Sequence, residues 1–79
     1  MPELLDRIVV TPDVLHGKAR IKGTRVAVYM VLEMLAGDYS FDDILREYPH
    51  LTREDIKSCL EYAAITTRDE LAPGLQEGA

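Results

Sequence analysis

A chain of 79 residues with a net charge of −5 has room for one small domain. Its composition, 47% hydrophobic and 29% charged, is that of a globular protein and excludes an intrinsically disordered one. One cysteine excludes an intramolecular disulfide and a cysteine zinc cluster, and it suits a cytoplasmic protein without metal or cofactor. The longest apolar run, residues 26–32, is too short to cross a membrane. Because so short a chain buries little surface, we expect a homodimer or a higher homo-oligomer.

The N-terminal part predicts a short β-ribbon over about residues 7–26. Residues 7–11 are rich in β-branched side chains and end at a Pro-Asp turn signal. Residues 18–22 alternate between basic and apolar side chains, which is the period of a half-buried strand. Its basic face carries Lys18, Arg20 and Lys22, and its apolar face carries Ala19 and Ile21. Gly23 and Thr24 then mark a turn before a third extended stub at residues 25–26.

Three helices follow the ribbon. The first is the most apolar and ends at Gly37, where a C-terminal cap is expected. The second begins after Ser40, a capping hydroxyl, and ends at Tyr48 because Pro49 stops it. The third begins after Thr52 and runs to about residue 68. Its buried stripe is predicted to consist of Ile56, Cys59, Leu60 and Ala63, with Cys59 as a small core residue. We expect one domain over residues 1–69 and a flexible tail over 70–79.

Charge is segregated along the chain. Residues 1–32 carry a net charge of +2, residues 33–79 carry −7, and no acid lies between residues 14 and 32. The negative net charge of the whole chain argues against a general nucleic-acid binder. A local basic strip is nevertheless compatible with binding an anion in one orientation. The alternative is that these are ordinary exposed charges that keep a strand soluble.

The second and third helices have the spacing of a helix–turn–helix motif, with residues 49–52 as the connection. In such a motif the third helix reads DNA, and Arg53 and Lys57 suit phosphate or guanine contacts. The outward residues are predicted to be Arg53, Glu54, Lys57, Ser58 and Glu61. The two glutamates oppose DNA, and Lys57 and Glu61 are spaced to pair with each other.

The sequence contains no group of residues with the pattern of a catalytic site. No metal-ligand cluster, nucleophile elbow, P-loop or dinucleotide fingerprint is present. His16 lies in a turn and His50 lies between two helices, far apart in the sequence. We therefore expect a protein that is not an enzyme.

The most distinctive stretch is His16-Gly17-Lys18-Ala19-Arg20-Ile21-Lys22-Gly23-Thr24-Arg25-Val26. Together with the later Asp43-Ile44-Leu45, Tyr48-Pro49-His50-Leu51-Thr52 and Asp55-Ile56, it closely resembles domain-of-unknown-function family 433. The family signature reads Gly-x-Pro-x-Ile-x-Gly-Thr-Arg, followed by a helix, a short acidic helix ending in Tyr-Pro, and a last helix starting at Leu-Thr. Ala19 departs from it, because the family usually carries proline there.

The resemblance implies a mainly α fold: a homeodomain-like, three-helix helix–turn–helix bundle with an N-terminal β-ribbon. Members look like small prokaryotic antitoxins, often encoded beside a PIN-like ribonuclease toxin that they neutralise, and are presumed to bind their own operator DNA. The matching motif residues are Gly17, Ile21, Gly23, Thr24 and Arg25. The two glycines would mark turns, Thr24 would cap the first helix, and Arg25 would either brace the ribbon through a salt bridge or contact a ligand.

Two functions remain open on the sequence. The first is an antitoxin-type module in a toxin–antitoxin system, a homodimer that docks a nuclease toxin and binds DNA. Its candidate DNA contacts are Lys18, Arg20, Lys22, Arg25, Arg53 and Lys57. The second is a protein-interaction and dimerisation module without DNA binding, which the −7 portion favours because it repels DNA and attracts a basic partner.

Overall fold

The computed structural model describes residues 6–69, which form two short strands and three helices. The strands are β1 (Ile8–Val9) and β2 (Arg20–Ile21), and the helices are α1 (Val28–Ala36), α2 (Phe41–Glu47) and α3 (Arg53–Asp69). This mainly helical architecture confirms the expected fold class. The expected flexible tail, residues 70–79, lies outside the described residues. No helix in the described range is both long and apolar enough to traverse a bilayer.

The ribbon is shorter than predicted, and its third extended stub is present. Strands β1 and β2 are antiparallel, with Ile8 opposite Ile21. On the other side of β2, the amide of Ile21 donates to the carbonyl of Val26 at 2.9 Å, and a single bridge joins Arg20 to Ala27. Strand β2 thus has a hydrogen-bonded neighbour on each side, β1 on one and residues 26–27 on the other. A ribbon of this size depends on the helices beneath it.

The core lies where the ribbon meets all three helices. Its buried side chains are Ile21, Val26, Val28, Val31, Ile44, Leu51, Ile56 and Cys59. Ile21 is the ribbon's main contribution and is 1% exposed. The apolar positions that the helical spacing predicts to face inward on the first two helices are buried or half-buried, among them Val31, Leu35 and Ile44.

Helices α2 and α3 begin at matching capping boxes. The Ser40 hydroxyl accepts a hydrogen bond from the Asp43 amide at 3.0 Å, and the Asp43 carboxylate accepts one from the Ser40 amide at 2.9 Å. The bonds from Ser40 lower the pKa of Asp43. Thr52 and Asp55 make the same reciprocal pair at 3.2 and 2.9 Å. Both predicted starts are confirmed, because a capping box is a local device that a short sequence specifies. Five residues, 48–52, connect the two helices.

Of the two predictions about the ends of α1, the C-cap at Gly37 is confirmed and the N-cap at Thr24 is wrong. Gly37 is the C-cap but has φ −90°, and Asp38 takes the left-handed conformation at φ 72°. The Tyr39 amide then donates to the Met34 carbonyl at 3.0 Å, which completes a Schellman motif around Asp38. At the other end Thr24 does not cap the helix, because the N-cap is Ala27.

The face that α3 buries is rotated relative to the prediction. Ile56 and Cys59 are fully buried as expected, whereas Leu60 is 41% exposed. Ser58, predicted to face outward, is fully buried, and its hydroxyl donates to the Glu54 carbonyl at 2.7 Å. Tyr62 packs against the core instead of Leu60. The predicted stripe failed because the sequence pattern alone did not fix how α3 rotates against α1 and α2.

Candidate nucleic-acid interface

The basic segment, residues 18–25, presents three exposed cations. These are Lys18, Lys22 and Arg25. The Lys18 ammonium lies 5.8 Å from the centre of the Tyr29 ring. Within residues 6–69, Lys22 and Arg25 make no side-chain hydrogen bond or ion pair. Because the segment contains no acid, these charges are available to an anionic partner.

Arg20 does not belong to this exposed set, although the strand alternation predicted it on the same face as Lys18 and Lys22. Its guanidinium donates to the Thr24 carbonyl at 2.9 Å and to the Thr11 hydroxyl at 3.1 Å. Its Nε is buried and has no hydrogen-bond partner among the described residues. The strand alternation that grouped Arg20 with Lys18 and Lys22 holds for only two residues, since the chain turns at Gly23. Arg20 therefore ties together two loops beneath the surface.

The turn at Gly23 explains the Gly-Thr pair of the motif. Gly23 has φ 79°, a left-handed conformation that glycine adopts at little cost, and Gly17 is similar at 78°. The Thr24 hydroxyl donates to the Ile21 carbonyl at 2.8 Å and accepts from the Val26 amide at 3.0 Å. Thr24 thus closes the turn that leads the chain out of β2. The next side chain, Arg25, is left exposed, and the salt bridge that would brace the ribbon does not form within residues 6–69.

The surface of α3 is less available to an anion than the basic segment. Arg53 donates to the Asp42 carboxylate at 3.1 Å and lies over the Phe41 ring at 5.0 Å. Lys57 is exposed and forms no ion pair with Glu61 or with any other acid among residues 6–69. Glu54 is exposed on the same helix, one residue after Arg53. Of the two predicted α3 contacts, only Lys57 keeps its charge unpaired.

A tight left-handed turn precedes the basic segment. Leu15, His16 and Gly17 have φ angles of 53°, 56° and 78°. For a non-glycine residue this conformation costs about 1–2 kcal/mol, and it persists only where the surrounding chain imposes it. The sequence places His16 in a turn but gives no sign of the strain at Leu15, because leucine is not typical of left-handed positions.

Cys59 lies apart from this surface, in the core. Burial raises the pKa of its thiol to about 12, and the neighbouring Asp55 carboxylate adds to the rise. The thiol is therefore protonated and enclosed in the native protein. Because the chain has one cysteine, we expect a thiol reagent at about pH 8 to label it only at the rate at which the domain opens. Fast labelling without denaturant would contradict this burial.

The chain is similar in sequence to proteins whose function is unknown. Residues 8–63 match the model of one family, described as "Protein of unknown function (DUF433)". The Uncharacterized protein y4eO of Sinorhizobium fredii (strain NBRC 101917 / NGR234) is 36% identical over 56 residues, which are 71% of this chain and 25% of that protein. The chain thus spans about a quarter of the length of this curated relative.

A solved structure has the same fold. The crystal structure of a DUF433 member protein from Anabaena variabilis, at 2.00 Å resolution, superimposes with a TM-score of 0.75. The match covers 86% of this chain and 79% of that chain, at 29% sequence identity. The arrangement of ribbon and helices is therefore shared between the two proteins.

Proposed function

We propose that this chain, which belongs to the DUF433 family of proteins of unknown function, is a small antitoxin-like module that binds its own operator DNA. In this proposal it is a cytoplasmic binding protein and not an enzyme. It acts as a homodimer and neutralises a PIN-like ribonuclease toxin, as the family resemblance implies. The observation that carries the DNA part is the basic segment: exposed cations without acid partners, next to one another in an acid-free stretch.

The basic segment supports DNA contact better than α3 does. Its three exposed cations can each meet a phosphate, and phosphate contacts supply most of the affinity of such proteins. On α3, Arg53 already pairs with Asp42, and acids surround Lys57. We therefore assign the principal contact to residues 18–25 and a secondary contact to Lys57.

Electrophoretic mobility shift at low salt, with DNA from upstream of the gene, tests this proposal. We expect a shift that weakens steeply as salt is added, since counterions are released on binding. The triple variant Lys18→Gln, Lys22→Gln, Arg25→Gln should make the slope of log affinity against log salt shallower by about 3, which corresponds to three lost phosphate contacts.

The matched control is Arg53→Gln, which removes one cation from α3. It should reduce affinity much less than the triple variant. The opposite ranking would move the contact to α3. Absence of any shift, with the chain alone and with a co-purified partner, would refute the DNA part of the proposal.

The second candidate is a protein-interaction module without DNA binding. A groove of about 440 Å³ between α1 and α3 favours it. The lining is mostly apolar: Lys18, Ala19, Val28, Tyr29, Leu32, Tyr62, Ala63, Thr66 and Thr67. Tyr29 is 47% exposed there. Gentle co-purification from native lysate separates the two candidates, because it reports a bound protein and a bound nucleic acid together.

A further inference from the structure

A concavity of about 410 Å³ lies beside the basic segment. It is lined by Pro12, Asp13, Leu15, His16 and Arg25. One wall is the loop that contains the left-handed turn, and the other is the residue that follows the Gly23-Thr24 turn. Two sequence-distant stretches therefore meet around one space.

Arg20 holds these two walls together. Its guanidinium bonds to Thr11, which directly precedes Pro12, and to Thr24, which directly precedes Arg25. One guanidinium thus joins the residues that precede Pro12 and Arg25, which restrains the separation of the two walls. A site whose walls are held in advance loses less conformational entropy when a ligand binds.

The concavity combines two opposite charges that do not meet. Asp13 and Arg25 both line it, and both are exposed. They form no ion pair with each other, and within residues 6–69 neither side chain has a hydrogen-bond partner. The site thus offers a free guanidinium fork and a free carboxylate acceptor. Asp13 would repel a bare phosphate, so a ligand that presents acceptors and a donor side by side fits better.

The major-groove edge of a G·C base pair has this pattern. Guanine presents the acceptors O6 and N7, which an arginine fork binds, and cytosine presents the N4 amino donor, which a carboxylate accepts. Phosphates are left to the exposed lysines of the basic segment, and such contacts position a protein without reading sequence.

We propose that Arg25 and Asp13 together read one G·C base pair of duplex DNA, with Arg25 on the guanine and Asp13 on the cytosine. This inference rests on the proposed DNA binding and adds its sequence specificity. Arg20 is the positioning residue of the pair. It acts through Thr11 and Thr24 and does not touch the DNA itself.

The test uses the full chain and a pool of short duplexes with a randomised centre, from which bound molecules are selected and sequenced. The parent protein should enrich G·C at one position of each half-site, because the proposed homodimer presents two copies of the site. Arg25→Gln should reduce the preference at that position by about ten-fold, as expected for the loss of a bidentate base contact. Asp13→Asn should lose the preference for cytosine while raising total binding, because a negative charge leaves the DNA-facing surface.

Lys22→Gln is the matched control, because it removes a cation that contacts no base. It should weaken binding to all duplexes alike and leave the sequence preference intact. Salt-dependent binding without any base preference would overturn the inference and leave the proposed function standing. A preference that survives in Arg25→Gln would also overturn it. No binding to the pool would refute the proposed function itself. Circular dichroism checks that each variant is folded.

Discussion

Replacing Ile56 by alanine is expected to lower the free energy of unfolding by about 3 kcal/mol. Ile56 lies on α3 and is fully buried in the core formed by the ribbon and the three helices. Truncation removes apolar contacts and leaves a cavity that a tightly packed interior fills only in part. A domain of this size has a stability of roughly 4–12 kcal/mol, so the loss is a large share of the total.

Urea unfolding followed by circular dichroism measures this loss. Ile56→Val is the matched control, because it removes one methylene and should cost about 1 kcal/mol. Leu60→Ala, on the same helix but 41% exposed, should cost less than Ile56→Ala. Equal losses at residues 56 and 60 would contradict the burial of α3 described above.

The second large effect is expected at the neighbouring residue, where Asp55→Ala should cost about 2 kcal/mol. The Asp55 residue is 8% exposed, and its carboxylate accepts from the Thr52 amide at 2.9 Å and from Arg7 at 3.3 Å. Loss of the capping box accounts for about 1 kcal/mol. The ion pair adds a smaller amount, because the Arg7 side chain is 43% exposed and solvent screens the pair.

Two single substitutions, measured in the same unfolding assay, separate the contribution of the ion pair from that of the capping box. Arg7→Gln removes the ion pair alone and should cost less than 1 kcal/mol, roughly the value of a partly exposed pair. Thr52→Ala removes the other half of the capping box and should cost about 1 kcal/mol. If Arg7→Gln were as damaging as Asp55→Ala, the ion pair and not the cap would dominate at this position.

The elements that the sequence predicted best are those set by local interactions. Ser40 and Thr52 were predicted to begin α2 and α3 because each supplies a capping hydroxyl ahead of early acids. In the structure, the acid three residues later also accepts a bond from the amide of the cap. The turn glycines, Gly17 and Gly23, have the positive φ angles that the motif implies. In each case the partners lie within a few residues, so the pattern of a short segment specifies the structure.

The predictions that were wrong concern side chains whose surroundings depend on residues outside their own segment. Ser58 and Leu60 exchanged their expected environments because the buried face of α3 depends on α1 and α2. Arg20 was grouped with the exposed lysines, although Thr11 and Thr24 hold it inside. Of the candidate site, the exposed positions of Lys18, Lys22 and Arg25 agree with the sequence, whereas the concavity shared by Asp13 and Arg25 carried no sequence signal.

Lys22 is connected to the first turn of α3 through a short chain of bonds. Its backbone amide donates to the Arg7 carbonyl at 2.7 Å, and the Arg7 guanidinium pairs with Asp55, which caps α3. The tip of the ribbon is thereby linked to the N-terminal end of α3. Displacing either one strains a bond that leads to the other.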